Sequence, residues 1–507
     1  MIIEAPLRGE FETVADAMDA AAAQFGAHEA YVEGGRRVTF AEWIDAADRL
    51  AASLAEQGVG PGDVVAIMLP PSIDYAVCYA AVARLGAVAS GINTRLGPRE
   101  VAAIFATAKP ALAVVDDPGA RPPSPRATRV LERAHLADAC MGPRLGERRM
   151  RGRRGDPVVI IWTSGTTGVA KGAWFDHDNL RAAVSSAGVM TAPFDRRLSA
   201  TPFAHAGYMA KLWEQLAWGT TLVLTPTPWT VADTVRLLVD ERITVVGAVP
   251  TQWAKMVDEP GLDPTRLPGL RLGLSATAPA PPELVERIGT RLGCPVVVRY
   301  AMTECPSITG TAPGDPPDVQ YRTVGRVQAG TAVDLRDERG VPVPAGEVGR
   351  VHVRSACVMR GYWSDPEATA AAIGADGWLR SGDLGRFDSA GNLVLCGRVD
   401  DMYIRGGYNV YPLEVEHVIA EHPAVQDVSV VGVVAPVIGE IGVAFVVAPA
   451  GVRAPTADDL RAWCRERLAD YKAPDEVVVV DALPLTPMLK VDKAALRARR
   501  REITRRS

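Results

Sequence analysis

The stretch WTSGTTGVAKG, residues 162–172, decides the interpretation of this chain. It combines small hydroxyl residues with three glycines and one lysine, a composition that suits a loop wrapping an anion with backbone N–H groups and hydroxyls. The apolar run VVIIW (158–162) before it predicts a strand, and GAWFDH (172–177) after it predicts another. We therefore predict a phosphate-binding loop between two strands.

The P-loop of ATPases and GTPases is the obvious alternative for this stretch. That motif places Ser or Thr directly after its lysine, where the hydroxyl binds magnesium, and it opens a helix. Here Gly172 follows Lys171, and the chain is predicted to continue as a strand. The P-loop interpretation is therefore rejected.

Hydrophobic periodicity around the loop predicts an α/β fold. The helical pattern at 38–57, with Gly58 as its stop, alternates with short apolar runs at 63–69 and 111–117. This alternation is typical of a parallel sheet that helices cover on both faces. A chain of 507 residues also exceeds what one hydrophobic core usually organises, so we expect at least two domains.

Three further local predictions follow from the pattern. Residues 119–156 are rich in Pro, Gly and Arg but lack aromatic partners for RNA bases, so we expect a solvated loop. Asp178 is expected to cap a helix over 179–190. Short strands at 331–355 predict a small β subdomain. A new succession of strand and helix patterns that begins near Asp400 predicts a C-terminal α+β domain.

Composition excludes several classes of protein. A net charge of −5 and 48% hydrophobic residues are typical of a globular protein without the positive electrostatic potential that favours binding of nucleic acid. The seven cysteines form no C-x-x-C pair, which argues against a disulfide framework or a zinc site and favours a reducing, cytoplasmic location. We expect no signal peptide, because charges interrupt the first 20 residues, and no membrane span, because no continuous apolar run reaches about 18 residues.

The loop pattern resembles the phosphate loop of the adenylate-forming superfamily, which comprises acyl-CoA synthetases, adenylation domains and luciferases. Segments resembling the family's other signatures follow in the family's order: RYAMTE (299–304), GWLRSGD (377–383), GRVDDMYIRGGYNVYPLEVE (397–416) and LPLTPMLKVDK (483–493). The resemblance covers nearly the whole chain. It implies a large N-terminal domain (1–399) of stacked mixed sheets covered by helices plus a small β subdomain, and a small mobile C-terminal α+β domain (400–507).

The resemblance also implies a two-step reaction. A carboxylate attacks the α-phosphate of ATP and releases pyrophosphate, and a thiol such as that of coenzyme A then displaces AMP from the acyl-adenylate. A carboxylate is a weak nucleophile toward an anion, so positioning and charge neutralisation must supply most of the rate.

Specific residues acquire roles in the nucleotide site through this resemblance. Glycines let the backbone approach phosphates, a lysine adds a point charge, and a carboxylate accepts from two vicinal ribose hydroxyls. Glu304 is a hard oxygen ligand suited to Mg²⁺. The implied set is Thr163, Ser164, Gly165, Thr166, Thr167, Gly168 and Lys171 for the β- and γ-phosphates, Thr303 for the α-phosphate, Tyr300 for adenine, and Asp383 and Arg398 for ribose.

Other roles fall on the C-terminal part and on one histidine. The resemblance makes Lys490 the mobile lysine that bridges the carboxylate and the α-phosphate in the first step, with Lys493 confirming the register. Asp400 would be the hinge about which the small domain turns. The loop at 406–407, Gly406 and Gly407, would then line the thiol's entry tunnel. His205 precedes a predicted helix and is a candidate for gating the acid.

The chain departs from the family pattern at several positions. Ala170 replaces a proline and Ser381 a threonine, and neither change removes the chemistry. Ala301 replaces a glycine, adding a methyl group beside the acyl pocket, and 274–284 departs from the usual glycine-rich wall. Leu489 replaces the glycine before the catalytic lysine; if that position needs a positive φ, leucine would be strained and adenylation slow or specialised.

These features predict an ATP-dependent carboxylate:CoA ligase that uses ATP, Mg²⁺ and coenzyme A. A free-standing adenylation enzyme that loads a carrier protein in trans is the first alternative, and activation of another small anion such as nitrite is the second. A nucleotide-binding protein without catalysis is a distant alternative, to which Leu489 alone points. Met209, Trp213 and Met302 suggest an apolar acid pocket. The acid and the oligomeric state, with a homodimer among the options, are not predicted.

Overall fold

The structure is a computed structural model, and it describes residues 4–116, 128–146, 152–163, 170–276, 282–436, 438–486 and 490–506. Its helices are α1 (Val14–Phe25), α2 (Phe40–Glu56), α3 (Ile73–Arg84), α4 (Pro98–Ala108), α5 (Leu136–Ala139), α6 (His177–Ser185), α7 (Ala206–Met209), α8 (Leu212–Trp218), α9 (Val231–Asp240), α10 (Pro250–Val257), α11 (Pro282–Leu292), α12 (Pro317–Arg322), α13 (Pro366–Ala372), α14 (Pro412–Ala420), α15 (Ala457–Arg465) and α16 (Lys493–Arg506).

The first two sheets form the body of the N-terminal part. In spatial order, the seven-stranded sheet contains β18 (Gly361–Tyr362), β8 (Lys171–Asp176), β7 (Pro157–Thr163), β4 (Val88–Gly91), β3 (Val64–Met68), β5 (Leu112–Val115) and β6 (Arg129–Glu132). The nine-stranded sheet contains β15 (Arg326–Val327), β14 (Cys305–Gly310), β13 (Val296–Met302), β12 (Leu272–Ala276), β11 (Val245–Ala248), β9 (Arg196–Ser199), β10 (Thr221–Leu224), β1 (Glu29–Glu33) and β2 (Arg36–Thr39).

Two smaller sheets follow along the chain. The four-stranded antiparallel sheet contains β16 (Thr331–Arg336), β17 (Gly349–Ser355), β19 (Leu379–Phe387) and β20 (Leu393–Arg398). The five-stranded C-terminal sheet contains β22 (Tyr408–Val410), β21 (Tyr403–Arg405), β24 (Gly439–Val447) and β23 (Asp427–Ala435), with β25 (Glu476–Val479) beside β24. The mixed sheets, the small β sheet and the α+β C-terminal part confirm the predicted fold class.

Burial explains why the central strands read as continuous apolar runs. Every residue of β3 and β5 is buried, because parallel strands in the middle of a sheet have helices on both faces. Helix α2, by contrast, is amphipathic and starts at Thr39, whose hydroxyl accepts from the N–H of Glu42 in a reciprocal capping box. Gly58, the predicted stop, follows the helix with φ of +81°.

Two local predictions were wrong. Helix α6 is capped by Asp176, whose carboxylate accepts from the N–H of Asn179, and not by Asp178. The helix starts two residues early because β8 ends at Asp176 itself. The Arg-rich segment 119–156 was predicted to be a loop throughout, yet β6 within it pairs in parallel with β5. Leu131 in this strand is buried, but the arginines around it in the sequence hide the apolar pattern of a strand.

The C-terminal part has a core of its own and lies against the N-terminal part. Val415, Ile419 and Leu460 are buried in that core. At the junction, the guanidinium of Arg322 on α12 lies 3.4 Å from the carboxylate of Glu421 after α14. Within the described residues, no helix is both long and apolar enough to cross a bilayer.

Substituting Gly325 tests the packing where the nine-stranded sheet turns toward the four-stranded sheet. Gly325 has φ of +72°, and a Cβ there would lie 2.1 Å from the carbonyl of Gly310. The left-handed conformation costs alanine about 1–2 kcal/mol, and overpacking adds about 1–3 kcal/mol. We expect Gly325→Ala to lower the free energy of unfolding, measured by urea denaturation, by roughly 2–5 kcal/mol.

Gly330→Ala is the matched control. Its φ of +75° is nearly the same, but no atom lies within 4 Å of the added Cβ. This variant should lose only the backbone term, about 1–2 kcal/mol. Equal losses in the two variants would contradict the steric account of Gly325.

Candidate functional site

The predicted phosphate loop joins two paired strands. Thr163 at the end of β7 pairs with Lys171 at the start of β8, and the Thr163 hydroxyl donates to the Lys171 carbonyl at 3.3 Å. The strand–loop–strand prediction is therefore confirmed at both ends of the loop. Ser164, Gly165, Thr166, Thr167 and Gly168 lie outside the described residues, so their phosphate contacts stay a prediction.

Tyr362 links the loop lysine to the predicted magnesium ligand. The ammonium of Lys171 lies 5.3 Å from the centre of the Tyr362 ring. The Tyr362 hydroxyl donates to the Glu304 carboxylate at 2.8 Å. Burial and the charge of Glu304 both raise the Tyr362 pKa, so the phenol stays protonated and can donate this hydrogen bond. Lys171 and Glu304 thus contact the same tyrosine, and we call the place where they and the residues described next come together the cleft.

Tyr300 and Asp383 form the next part of the site. The Tyr300 hydroxyl donates to one Asp383 oxygen at 2.6 Å, and the guanidinium of Arg398 lies 3.9 Å from the other. Desolvation, and after it the charge of Asp383, raises the Tyr300 pKa well above its ordinary value. A Cβ on Gly382 would lie 2.6 Å from an Arg398 nitrogen, so a glycine there lets Arg398 reach this place. The implied adenine and ribose residues therefore lie together.

Thr303 and Glu304 occupy the turn between the antiparallel strands β13 and β14. Both side chains are half-buried, and the Glu304 carbonyl accepts from the N–H of Met359 at 2.8 Å. This anchoring holds the turn against the segment that precedes Tyr362. The turn therefore presents a hydroxyl and a carboxylate side by side.

His205 directly precedes α7, as predicted, and its ring makes a long-range contact. The ring Nε2 lies 3.1 Å from the side-chain nitrogen of Asn93. Burial, with a further contribution from the ammonium of Lys490, lowers the His205 pKa to about 4. Because the imidazole is neutral near pH 7, its Nε2 can accept from the Asn93 amide.

Lys490 reaches the same cleft from the C-terminal part. Desolvation lowers the Lys490 pKa first, and the charge of Arg398 lowers it further. The carboxylates of Asp383 and Glu304 oppose this and raise it. The side chain keeps solvent-accessible surface, yet it stands within electrostatic range of His205, Asp383, Glu304 and Arg398. The structure thus brings the predicted lysine to the predicted nucleotide site.

The other C-terminal candidates lie at the start of α16 and in two turns. Lys493 pairs with Glu416 at 2.9 Å within the C-terminal part. Gly406 and Gly407 have φ of 57° and 87° in the turn between β21 and β22, a conformation that favours glycine. Asp400 lies in the turn between β20 and β21. The thiol tunnel and the hinge stay predictions.

The departures from the family pattern leave the described site intact. The Ser381 hydroxyl accepts from the N–H of Asp383 at 3.0 Å, so serine supplies the oxygen expected of threonine. Ala170 packs partly buried against an apolar cluster, and Ala301 is exposed. Leu489 and residues 277–281 lie outside the described residues, so their predicted effects are untested.

Sequence reasoning missed Tyr362 and Asn93. Tyr362 is in β18, which pairs with β8 next to Lys171. Asn93 follows the buried strand β4, and a polar residue at that strand end was the available signal.

The residues at the cleft fit a single magnesium ion bound together with phosphates. Among the residues that the structure describes, no three His, Cys, Asp or Glu side chains form a complete metal cage. Mg²⁺ is normally held by one or two carboxylates, substrate phosphates and water. Glu304 has one oxygen engaged by Tyr362 and a second oxygen that can serve as such a ligand.

Family models match most of the chain. Residues 18–363 match the model described as AMP-binding enzyme, and residues 414–490 match the AMP-binding enzyme C-terminal domain. The predicted boundary at 399/400 lies between the two matches and stays a prediction.

Similar proteins extend over nearly the whole chain. A (methyl-dioxo-octahydroindenyl)propanoyl:CoA ligase of Mycobacterium tuberculosis is 36% identical and covers 96% of this chain and 99% of its own. A feruloyl-CoA synthase of an Amycolatopsis species is 35% identical, with coverage of 92% and 94%. The crystal structure of ATP-bound MatB from Rhodopseudomonas palustris superposes with a TM-score of 0.88 at 29% identity, covering 96% of this chain and 99% of that one.

Removing the Tyr300 hydroxyl tests the Tyr300–Asp383 contact. Tyr300→Phe deletes a 2.6 Å hydrogen bond to a carboxylate, and such bonds contribute about 1.5–3 kcal/mol. We expect the KM for ATP to rise by about tenfold or more while the KM for the acid changes little. Tyr321→Phe, which removes a hydroxyl elsewhere in the same part, is the control. An unchanged KM for ATP in Tyr300→Phe would remove this residue from the nucleotide site.

The coupling between His205 and Lys490 can be measured directly. Because the Lys490 ammonium lowers the His205 pKa, Lys490→Ala should raise it, although burial will keep it below the ordinary value of about 6.5. NMR titration of labelled histidine is the measurement. Lys255→Ala, which removes an exposed lysine on α10, should leave the His205 titration unchanged. A His205 pKa unaffected by loss of Lys490 would show that the two groups do not meet in solution.

Proposed function

The chain belongs to the AMP-binding enzyme family of adenylate-forming acyl-CoA synthetases, and we propose that its described cleft catalyses ATP-dependent formation of an acyl-CoA through an acyl-adenylate. The enzyme is an acid-thiol ligase of the AMP-forming type. The observation that carries the assignment of residues is the electrostatic coupling of Lys490, from the C-terminal part, to Asp383, Glu304 and His205, with Tyr300 hydrogen-bonded to the same Asp383.

The cleft suits the binding of a nucleotide in one orientation. Tyr300 offers an aromatic face for adenine, and Asp383 keeps acceptor capacity for the ribose hydroxyls after it accepts from the phenol. Arg398 stands beside that carboxylate as a second ribose contact. At the other end of the cleft, Lys171 and the turn at 303–304 receive the phosphates.

Lys490 performs the central task of the first step. Its ammonium bridges the acid carboxylate and the α-phosphate, two anions that otherwise repel each other. The same charge stabilises the negative charge that develops when pyrophosphate leaves. His205, neutral and hydrogen-bonded to Asn93, stands beside Lys490 and borders the place where the acid enters.

Glu304 would hold Mg²⁺, and Tyr362 would orient that carboxylate. The ion supplies charge neutralisation for the phosphates when it is bound. The phenol engages one carboxylate oxygen and so directs the other toward the cleft. The ammonium of Lys171, which lies over the same ring, adds a second positive charge at this end of the cleft.

The second step requires a thiol at the position that Lys490 occupies. We propose that the C-terminal part turns about Asp400, withdrawing Lys490 and presenting the turn at 406–407 to the acyl-adenylate. The positive φ values of Gly406 and Gly407 give a turn without side chains, which a pantetheine arm can pass closely. Reorientation of one small domain would let a single nucleotide site serve both steps.

Coenzyme A is the proposed thiol because the similar proteins are named as CoA ligases or synthetases. A carrier protein acting in trans is the second candidate acceptor. The names of the similar proteins agree on the thiol but differ in the acid, so they support a proposal for the thiol only. A cytoplasmic location fits an enzyme whose seven cysteines are all free.

Replacing Lys490 separates the two steps. We expect Lys490→Ala to lower acid-dependent ATP–pyrophosphate exchange by at least about a hundredfold, the usual cost of losing one preorganised charge at a reacting centre. Thioester formation from supplied acyl-AMP and CoA should be largely retained, because the lysine is withdrawn in that step. The two rates are measured by exchange of labelled pyrophosphate and by release of AMP.

Lys255→Ala serves again as the control, because this lysine is exposed on α10. An equal loss of both steps in Lys490→Ala would contradict the assigned role. Exchange without CoA-dependent release of AMP would favour the carrier-protein acceptor.

A further inference from the structure

Asn93 is a buried residue whose side-chain amide is held in one orientation by the backbone. Only 7% of the residue is exposed. The side-chain oxygen accepts from the N–H of Arg95 at 3.0 Å, and the Asn93 carbonyl accepts from the N–H of Leu96 at 3.1 Å. Because a backbone N–H can only donate, the side-chain atom that faces Arg95 must be the oxygen. The amide nitrogen is therefore the atom that faces His205.

The orientation of this amide determines which ring nitrogen of His205 carries the proton. The Asn93 nitrogen lies 3.1 Å from the His205 Nε2 and can only donate, so Nε2 must accept. Burial, and after it the charge of Lys490, lowers the His205 pKa to about 4, so the ring is neutral near pH 7. A neutral imidazole carries one proton, which then lies on Nδ1. Asn93 thus holds His205 as the Nδ1–H tautomer.

The Nδ1–H group of His205 is available to a ligand. Within the part of the chain that the structure describes, no group hydrogen-bonds to Nδ1, and this nitrogen is not one of the fully buried polar atoms that lack a partner. The residue as a whole is half-buried. The ring also stands within electrostatic range of Lys490, which bridges the acid and the α-phosphate in the proposed first step. A hydrogen-bond donor therefore stands beside the lysine.

Close packing fixes the distance between Asn93 and the histidine. Strand β4 ends at Gly91, two residues before Asn93, and a Cβ on that glycine would lie 3.0 Å from the Cα of Ala204. The His205 carbonyl accepts from the N–H of Met209 at 2.8 Å within the first turn of α7. The Met209 carbonyl in turn accepts from a tyrosine hydroxyl of α3 at 2.7 Å. The end of β4 and the start of α7 are therefore held against each other.

We propose that Asn93 is a positioning residue that keeps His205 as the Nδ1–H tautomer, so that this N–H donates to the carboxylate of the acid beside Lys490. The oxygen that accepts is the one that does not attack the α-phosphate, and it becomes the carbonyl oxygen of the acyl-adenylate. This inference rests on the proposed function and adds a donor role to the predicted gating role of His205.

The chemistry of the first step favours a donor at this place. Only one of the two carboxylate oxygens attacks phosphorus, so a hydrogen bond to the other oxygen orients the nucleophile. The opposite tautomer would turn the lone pair of Nδ1 toward the carboxylate, and two acceptors repel each other. The position of one proton on His205 therefore decides whether the ring attracts the acid or repels it.

The first experiment measures the tautomer in the full-length protein without substrate. In nitrogen NMR of labelled histidine at about pH 8, where the ring is neutral, we expect His205 to show a protonated Nδ1 and an unprotonated Nε2. His205→Ala identifies its signals by their loss. His177 is an internal reference for the opposite tautomer, because its Nδ1 accepts from the N–H of Val14 at 3.0 Å.

Asn93→Asp should reverse the tautomer. The carboxylate keeps an oxygen for the N–H of Arg95, so the turn is preserved, but it presents a second acceptor to Nε2 of His205. The neutral ring should then carry its proton on Nε2 and lose it from Nδ1. Asn93→Ala, which adds no charge, should give a mixture of the two tautomers.

The second experiment measures the reaction in the same variants. We expect Asn93→Asp to lower the kcat for acid-dependent ATP–pyrophosphate exchange by about tenfold or more, the cost of losing a hydrogen bond to a charged group. The KM for ATP should change little, and Asn93→Ala should give an intermediate kcat. Gln57→Glu is the matched control, because it makes the same change from amide to carboxylate at an exposed position after α2. It should change neither the tautomer nor the rate.

Removing His205 separates positioning from a structural role. If Asn93 acts through the ring, Asn93→Asp should lower exchange by less than about twofold in a His205→Ala background. The full loss in that background would assign Asn93 a structural role only and would overturn the proposal.

Two further outcomes would contradict the inference. One is a His205 ring protonated at Nε2 in the unaltered protein, and the other is a reversed tautomer in Asn93→Asp with unchanged exchange. Absence of exchange with every acid would remove the proposed function and the donor role together, whereas exchange that does not depend on the tautomer would remove only this inference.

Discussion

The hydrogen bond from Tyr300 to Asp383 joins two sheets at the edge where the site lies. Tyr300 belongs to β13 of the nine-stranded sheet, and Asp383 belongs to β19 of the four-stranded sheet. Because burial and the neighbouring charge keep the phenol protonated, it can only donate to this carboxylate. The bond therefore fixes the direction of Asp383, and with it the second oxygen that faces Arg398. Both sheets must keep their register for this hydrogen bond, and with it the proposed nucleotide site, to form.

Local patterns predicted the elements of the fold but not the contacts between distant segments. The strands on either side of the glycine loop and the helix at 40–56 follow from periodicity and capping, which act over a few residues. The contact of Asn93 with His205 joins positions 112 residues apart, and that of Tyr362 with Glu304 joins positions 58 apart. Neither pair leaves a local signal, because strand order decides which ends of strands become neighbours.

The same distinction explains the site residues. The family motifs predicted that Tyr300, Asp383 and Lys490 belong to the site. The structure adds which side chains they interact with. Arg299 precedes Tyr300 in the same motif, yet its sequence neighbours say nothing of the glycines at 188 and 310 that accommodate it. The two faces of one strand thus have different surroundings: Tyr300 donates to Asp383 of the four-stranded sheet, and Arg299 donates to the carbonyl of Ala187 after α6.

The ion pair between Arg322 and Glu421 bears on the proposed rotation of the C-terminal part. Both side chains keep contact with water, at 57% and 27% exposure, and a surface pair of this kind contributes only about 0–1 kcal/mol. Lys490, in contrast, stands among opposing charges that a bound triphosphate would rebalance. This pair alone would not hold the C-terminal part in one orientation, so we infer that the charge a nucleotide brings or carries away would bias the proposed rotation and set its timing in the catalytic cycle.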